Sequence, residues 1–356
     1  MEKKEKIKAV ALYSGGLDST LAIKLIQNQG IDVLAIHFYT GFCITETKRR
    51  RGEKKPDGSH YMNPALKYAA KYGFKLEIVD ISEEYFDIIQ NPKYGYGANI
   101  NPCIDCRAFM YKKAKEIMER EGAHFIVSGE VLNQRPMSQH LKAMKIIEKE
   151  AGVEGLVVKP LSAKVLPPTI PEQKGWIDRN KLEGIVGRSR KRQLQLAKEL
   201  GIDEFEQPAG GCCYLTDENF ARKYQETISV QGFITRDDLY LLTIGRHFRL
   251  PSGTKVIISR NEGEGNFIKG LKKNYWYFEP VGKGAVAIAK PIEERNLTDE
   301  EIKQIADLVA RYCKTDEEGK IKIKYFSPQT DLLIENKEGI IVGNKPEEKI
   351  LESWRI

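Results

Sequence analysis

The sequence predicts an α/β protein, an open parallel sheet with helices on both faces, followed by a smaller α+β domain. Three observations carry this. Over the first two hundred residues, short β-branched runs alternate with helical patterns, the signature of parallel strands joined by crossover helices. After about residue 222 the pattern changes to strands and turns punctuated by Gly, Pro and Asn. At 356 residues and 41% hydrophobic composition, the chain can supply two domains with cores of their own. The expected domains are 1–222 and 233–356.

The elements follow in order. Ile7 to Tyr13 opens the sheet as a buried strand. Ser19 to Gln29 is a helix with Leu21, Ala22, Leu25 and Ile26 on one stripe and Gly30 as its stop. Val33 to Phe38 and Lys75 to Val79 are the next strands, separated by a helix over Asn63 to Tyr72. A helix over Arg107 to Glu121 leads to a fourth strand, His124 to Ser128. From Gly232, GRHFRLPSGTKVIISRN and NFIKGLKKNYWYFEPVGKGAVAIA read as strands and turns that alternate apolar and basic positions. The helix TDEEIKQIADLVARYC then starts on a Thr298–Glu301 capping box and carries Ile302, Ile305, Leu308 and Val309 as one stripe.

Composition excludes several classes. No stretch approaches the roughly 20 apolar residues needed to cross a bilayer. The charged start MEKKEKIKAVAL runs into a strand, so neither a signal peptide nor a membrane partner is expected. Six cysteines are too few for a disulfide scaffold in so long a chain. Two of them form a C-x-x-C, which in an intracellular protein points to metal or redox chemistry, and a cytoplasmic location is expected. Net charge is +7, from 57 basic against 50 acidic residues. Nine Lys or Arg against three Glu between Gly245 and Lys290 leave +6 there, which suits a polyanion. Arg246, Arg249, Arg260, Lys269, Lys272 and Lys273 of that stretch are the candidate contacts to such a polyanion. A second basic run, GRSRKRQ, covers Gly187 to Gln193.

The most informative stretch is SGGLDS, residues 14–19, where the first strand turns into the first helix. In an open parallel sheet, ligands bind at the carboxyl ends of strands, and a helix N-terminus there attracts anions. Gly15 and Gly16 let the backbone approach a phosphate, Ser14, Ser19 and Thr20 offer hydroxyls, and Asp18 can hold Mg²⁺ against a polyphosphate. The loop has no Walker lysine and matches neither G-x-x-x-x-G-K-[ST] nor G-x-G-x-x-G.

The second is NPCIDCR, residues 101–107, in which Cys103 and Cys106 can reach one metal just before a helix whose N-terminal dipole is expected to lower their pKa. Cys212 and Cys213 of PAGGCCYLTD offer a third thiol, making a site for zinc or an iron–sulfur cluster. Cys43, beside the basic run KRRRGEKK, is either a second active thiol carrying a persulfide or a bystander, and Cys313 is a packing residue.

SGGLDS after a strand resembles the PP-motif of the ATP pyrophosphatase family, which cleaves ATP between its α and β phosphates and leaves AMP on a carbonyl oxygen. The resemblance implies that Ser14, Gly15, Gly16, Asp18 and Ser19 bind the pyrophosphate end of ATP, with Asp18 acting through Mg²⁺. It places His37 to Tyr39 over the adenine and Ser128-Gly129-Glu130 along the nucleotide site. NPCIDC is similar to the NPxxxC stretch of the 2-thiouridylases, with Cys106 on their catalytic cysteine. C-x-x-C plus a distant cysteine resembles the cluster-dependent tRNA thiolases, in which three thiolates hold a [4Fe-4S] cluster. The third ligand would be Cys212 or Cys213. EVLNQRPMSQ and KPLSAKVLPPT also look like stretches of this group. GRHFRLPSGTKVIISRNEGEGNFI resembles the RNA-binding domain at the end of NFACT proteins, with Phe248, Phe267, Tyr275, Trp276 and Tyr277 interleaved among cations and able to stack on bases.

These resemblances imply an ATP-dependent tRNA thiolase that adenylates a nucleobase carbonyl and replaces its oxygen with sulfur. Catalysis would fall to Asp18, Cys103 and Cys106, and Lys159 or Arg135 would offset phosphate charge. The partners would be tRNA and a sulfur donor, whether sulfide, a cysteine desulfurase or a sulfur carrier, with a homodimer left open. Two other readings stay open: an amide- or nitrile-forming ligase with structural zinc, and an RNA-binding protein that senses ATP.

Overall fold

The computed structural model describes residues 6–55, 57–205, 213–293, 295–329 and 337–356. The chain divides into two units. The first comprises residues 1–45 and 62–216, the second residues 46–61 and 217–356.

The first unit is built on a five-stranded parallel sheet in the order β3-β2-β1-β4-β5. Its strands are β1 (Lys8–Leu12), β2 (Asp32–Tyr39), β3 (Lys75–Asp80), β4 (Phe125–Val127) and β5 (Val157–Val158). β5, only two residues long, gave no periodicity to read. Connections from β1 move outward to β2 and β3, whereas β4 and β5 lie on the other side of β1, so the order reverses between β1 and β4. That reversal opens a crevice at the strands' carboxyl ends, the place where such sheets bind ligands.

Seven of the helices follow in chain order: α1 (Leu17–Gln27), α2 (Ile44–Arg50), α3 (Pro64–Tyr72), α4 (Ser82–Gln90), α5 (Cys103–Arg120), α6 (Leu141–Ala151) and the single turn α7 (Ile170–Gln173). α8 (Lys191–Glu199) completes the first unit, and α2 carries the chain into the second. β1 is buried on both faces because its side chains alternate between two cores. Ala9, Ala11 and Tyr13 join α1, α3 and α8 on one face. Val10 and Leu12 join α5 and α6 on the other.

The second unit has a six-stranded antiparallel sheet in the order β11-β10-β8-β9-β7-β6. Its strands are β6 (Arg246–Arg249), β7 (Lys255–Ile258), β8 (Trp276–Pro280), β9 (Ala287–Lys290), β10 (Lys320–Phe326) and β11 (Glu338–Asn344). Its helices are α9 (Glu218–Gln231), α10 (Arg236–Leu242), α11 (Glu262–Gly270), α12 (Asp299–Ala310) and α13 (Glu348–Trp354). The capping box of Thr298 and Glu301 starts α12, whose stripe packs on Phe248, Trp276 and Phe278. On the opposite face, Ile268 of α11 and Leu241 of α10 pack on Ile257, Tyr277 and Ile288.

Two expectations are corrected here. The stretch after Gly232 opens with helix α10, and NFIKG ends helix α11 instead of entering a strand. The cause is local: the Asn261 side chain accepts the Glu264 amide at 2.9 Å and starts a helix that Ile268 ties to the core.

Residues 46–61 give the second unit part of its interior. Arg51, its side chain 4% exposed, pairs with Glu53 at 3.0 Å and donates to the Thr243 carbonyl at 3.4 Å. Asn261 donates to Glu53 at 3.3 Å, and a Cβ on Gly263 would meet Glu53 Cγ at 2.6 Å. Of the basic run read beside Cys43, Arg51 and Glu53 are therefore packed into the sheet unit, while Arg49, Arg50, Lys54 and Lys55 are exposed.

Candidate functional site

The SGGLDS loop lies at the carboxyl end of β1, and Ser128-Gly129-Glu130 at that of β4, so both border the crevice at the strand-order reversal. The backbone there needs glycine. Gly15 has φ +80°, and a Cβ would come within 2.6 Å of the Pro64 and Ala65 backbone. A Cβ on Gly129 would meet the Ser19 amide nitrogen at 2.6 Å, so β4 sits directly against the start of α1.

Helix α1 begins after Gly16 with no side-chain cap, leaving its first-turn amides for a ligand. Hydroxyls surround it. Ser14 and Ser19 share a hydrogen bond at 3.3 Å, and Ser19 and Thr20 each donate to the Gly16 carbonyl at 3.0 Å. His37 of β2 is held through Nδ1 against the Tyr13 carbonyl at 3.0 Å.

Asp18 is the electrostatic centre of the loop. One carboxylate oxygen accepts from Gln134 Nε2 at 3.1 Å, and the other is buried without a hydrogen-bond partner among the described residues. Burial raises its pKa, and the Gln134 bond, Arg190 and Arg135 pull it back down. A buried carboxylate oxygen left open beside hydroxyls and an uncapped helix start suits Mg²⁺, a hard cation that takes oxygen ligands.

The thiols gather around Tyr85 of α4, which is 1% exposed. Its hydroxyl is held protonated far above the usual tyrosine range, first by burial and then by Cys106, Cys213 and Cys103. Phe42 and Phe109 flank the ring at centroid distances of 6.2 and 6.4 Å. Distant segments are tied together to achieve this. Asn99, in the left-handed region at φ 57°, donates to the Thr216 carbonyl at 2.8 Å, and the Ile100 amide donates to Leu215 at 3.3 Å. Cys43 forms an isolated antiparallel bridge with Cys213.

The helix dipole was expected to lower the thiol pKa at the start of α5. Cys103 departs from this: burial raises it, and Arg135, its own helical amide and Arg107 only partly compensate. Cys212 lies outside the described residues. Among the described residues, no group of three His, Cys, Asp or Glu side chains is disposed to hold a metal ion, so the described thiols alone do not make the expected three-cysteine cradle.

The sequence reading missed what lies between these groups. In the loop 131–139, Gln134 holds Asp18, while the charge of Arg135 acts on both Asp18 and Cys103. The backbone is fixed, with Asn133 at φ 62° and its amide on the Gln139 carbonyl at 2.7 Å. Arg190, counted only as part of a surface charge run, also acts on Asp18. Lys159, in contrast, is committed to an ion pair with Glu148 and is 4% exposed.

Two segments match known family models. Residues 5–164 match the thiamine biosynthesis protein (ThiI) model, and residues 245–355 match the NFACT protein RNA binding domain. The first match contains both SGGLDS and NPCIDCR, and the second contains all six strands of the antiparallel sheet. A probable tRNA sulfurtransferase of Thermococcus kodakarensis is 30% identical over 154 residues, 43% of this chain and 36% of that protein. The tRNA-specific 2-thiouridylase MnmA of Petrotoga mobilis is 27% identical over 229 residues, covering 62% of this chain and 58% of the relative. The chain thus spans less than two thirds of either relative. The solved complex of a 4-thiouridine synthetase with RNA and bound ATP is 18% identical, covers 55% of this chain and 51% of that one, and has a TM-score of 0.31. No helix among the described residues is long and apolar enough to cross a membrane.

Within residues 245–355, the six candidate cations divide. Arg249 makes a two-pronged pair with Glu226 at 2.7 and 2.9 Å, and Arg260 pairs with Glu264. Arg246 donates to the Ser259 carbonyl at 3.0 Å and lies over the Tyr312 ring. Lys272 sits 3.4 Å from the centre of the Phe326 ring, whereas Lys269 and Lys273 are exposed. Of the aromatics expected to stack on bases, Phe248, Trp276 and Tyr277 are core residues and Tyr275 is half-buried. Phe267 is exposed, beside Lys269 in α11. The alternation in KIKIKYF also passed unread. Lys322 and Lys324 are exposed on β10, opposite the exposed Val342 and Ile340 of β11.

Proposed function

We propose that the protein is an ATP-dependent tRNA thiolase. The carbonyl oxygen of a nucleobase, a uridine by the resemblance, attacks the α-phosphate of ATP and pyrophosphate leaves. A sulfur nucleophile then adds to the activated carbon, and AMP departs as the adduct collapses. Ser14, Gly15, Gly16 and Ser19 would hold the pyrophosphate end, with His37 and Gly129 bordering the nucleotide. Asp18 would hold Mg²⁺ there, and Arg135 and Arg190 would offset charge on the phosphates.

One observation carries the reading: Gln134 bonds Asp18, and the neighbouring Arg135 acts on both Asp18 and Cys103. An adenylating loop and a thiol that share one cation suit a reaction in which activation and sulfur transfer occur on the same carbonyl group. The sulfur would be carried as a persulfide on Cys106 or Cys213. A [4Fe-4S] cluster on Cys103, Cys106 and one of Cys212 or Cys213, with zinc as its alternative, is the version that the resemblance implies. Iron content after anaerobic purification tests it.

Lys269 and Lys273, with Phe267, are the tRNA contacts that the exposure pattern favours. The decisive experiment is nucleoside mass spectrometry of tRNA from a deletion strain, with AMP and pyrophosphate release measured on that tRNA. Loss of one thiolated nucleoside is expected. An unchanged profile with no tRNA-dependent AMP would overturn the proposal.

A further inference from the structure

We infer that Cys43, far from the other thiols in sequence, is a member of the sulfur site: it pairs with Cys213 and takes the disulfide that ends each turnover. This rests on the thiolase reading and adds a residue to it.

The geometry begins in the backbone. Cys43 and Cys213 face each other in an antiparallel bridge. The amide of Tyr214, just after Cys213, donates to the carbonyl of Phe42, just before Cys43, at 3.0 Å. That hydrogen bond frames the cysteines as a narrow, non-hydrogen-bonded pair, in which Cα atoms lie about 4.5 Å apart. Disulfides span Cα separations of about 4.4–6.8 Å. The two backbones are therefore already placed for an S–S bond.

The flanks hold that register. Phe42 is 3% exposed and packs on Tyr85, Leu215 is fully buried, and both the amide and the hydroxyl of Thr216 donate to the Cys213 carbonyl, at 3.1 and 2.8 Å. Both cysteines are half-buried, whereas Cys313 is buried. Cys213 also borders Tyr85 together with Cys106 and Cys103. Cys213 is thus tied to Cys43 by the bridge and shares Tyr85 with the C-x-x-C.

The chemistry balances with two co-reactants, a persulfide donor that passes its outer sulfur to Cys213 and a dithiol reductant. A persulfide on Cys213 adds its terminal sulfur to the adenylated carbon, and AMP leaves with the electrons of the C–O bond. The base is then joined to Cys213 through a disulfide. The Cys43 thiolate attacks Cys213 Sγ, the bond to the outer sulfur breaks, and its electron pair goes to the base sulfur. The ring nitrogen recovers the proton lost on adenylation. The two cysteines have supplied two electrons and become a disulfide, which a dithiol reductant must reopen before the next cycle.

Two measurements on the full chain test this. Diamide oxidation of the reduced protein, followed by tandem mass spectrometry, should give a Cys43–Cys213 cross-link without RNA or ATP. In turnover without added thiol, Cys43→Ser and Cys43→Ala should form AMP at the wild-type rate in the first cycle. They should accumulate RNA bound to Cys213 and make at least tenfold less free thiolated product, and dithiothreitol should release that RNA and restore product. A dominant Cys106–Cys213 cross-link, unimpaired product release by both variants, or their failure to adenylate at all would each overturn the inference. A wild-type protein that forms the cross-link but never adenylates tRNA would overturn the thiolase reading, and the catalytic role with it, leaving only the disulfide.

Discussion

Gln134 donates a hydrogen bond to Asp18 at 3.1 Å, and the second oxygen of that carboxylate stays buried and unpaired among the described residues. A side chain from beyond β4 therefore orients the acid of the β1 loop and leaves one oxygen for an incoming cation. Asp18→Asn should keep the fold and melting temperature but lower tRNA-dependent pyrophosphate release by on the order of 10²-fold, the usual scale for losing a charge-stabilising group. Gln134→Ala should act more mildly, raising the Mg²⁺ concentration needed for half-maximal rate. An Asp18→Asn protein that turns over ATP normally would mean that the loop serves another ligand.

The Cys103 thiol gives a second handle. Burial raises its pKa and Arg135 opposes the rise. Arg135→Ala removes a cation that favours the thiolate, so the pKa should climb further. The pH profile for Cys103 alkylation by iodoacetamide should then move to higher pH, while that for Cys313 stays in place. No movement would mean that solvent screens the arginine from the thiol.

RNA binding should depend on exposure more than on sequence charge. Lys269→Glu with Lys273→Glu should weaken tRNA binding and lower the salt slope of log Kd by roughly two, about one per lost phosphate contact. Arg249→Ala should leave the salt slope unchanged and lower the melting temperature, because its guanidinium is committed to Glu226. Filter binding across a salt series, run beside thermal melts, separates the two classes.

The second unit should also have a basic stability limb. Lys223 and Lys255 are nearly buried, and burial pushes each from 10.5 down to about 8. Between these values the unfolded chain holds protons that the folded unit has released, so stability should rise with pH from about 8 to 10. Higher still, Tyr275, pushed up to about 12 by burial, keeps its proton only when folded and reverses the trend. Lys255→Met should flatten the limb without changing tRNA affinity. Urea midpoints at pH 7, 8, 9 and 10, read by amide exchange in the second unit, would show it, and a midpoint falling over that range would contradict it.

What could be read from the sequence was local. SGGLDS and C-x-x-C are contiguous, and their chemistry depends on the strand–loop–helix junctions that carry them. Cys43 could not be placed because its partner lies far along the chain, and the Tyr214–Phe42 hydrogen bond that closes the distance is a backbone contact with no side-chain signature. Charge counting failed for another reason. It gave Arg249 and Lys255 the same weight as Lys269, although the first two are held inside the unit by Glu226. Helix α11 did leave a signal: Asn261 followed three residues later by Glu264 is a capping pattern, masked by neighbouring glycines.

Residues 46–61 leave and re-enter the first unit's sequence, so the polypeptide passes between the two units three times. A shuffling event with one breakpoint near residue 217 would take the sheet but abandon Arg51 and Glu53, which fill its interior. Inheritance of the two units is thereby coupled: neither can be exchanged by a single crossover, and a lineage that lost one would have to repair the other at the same time.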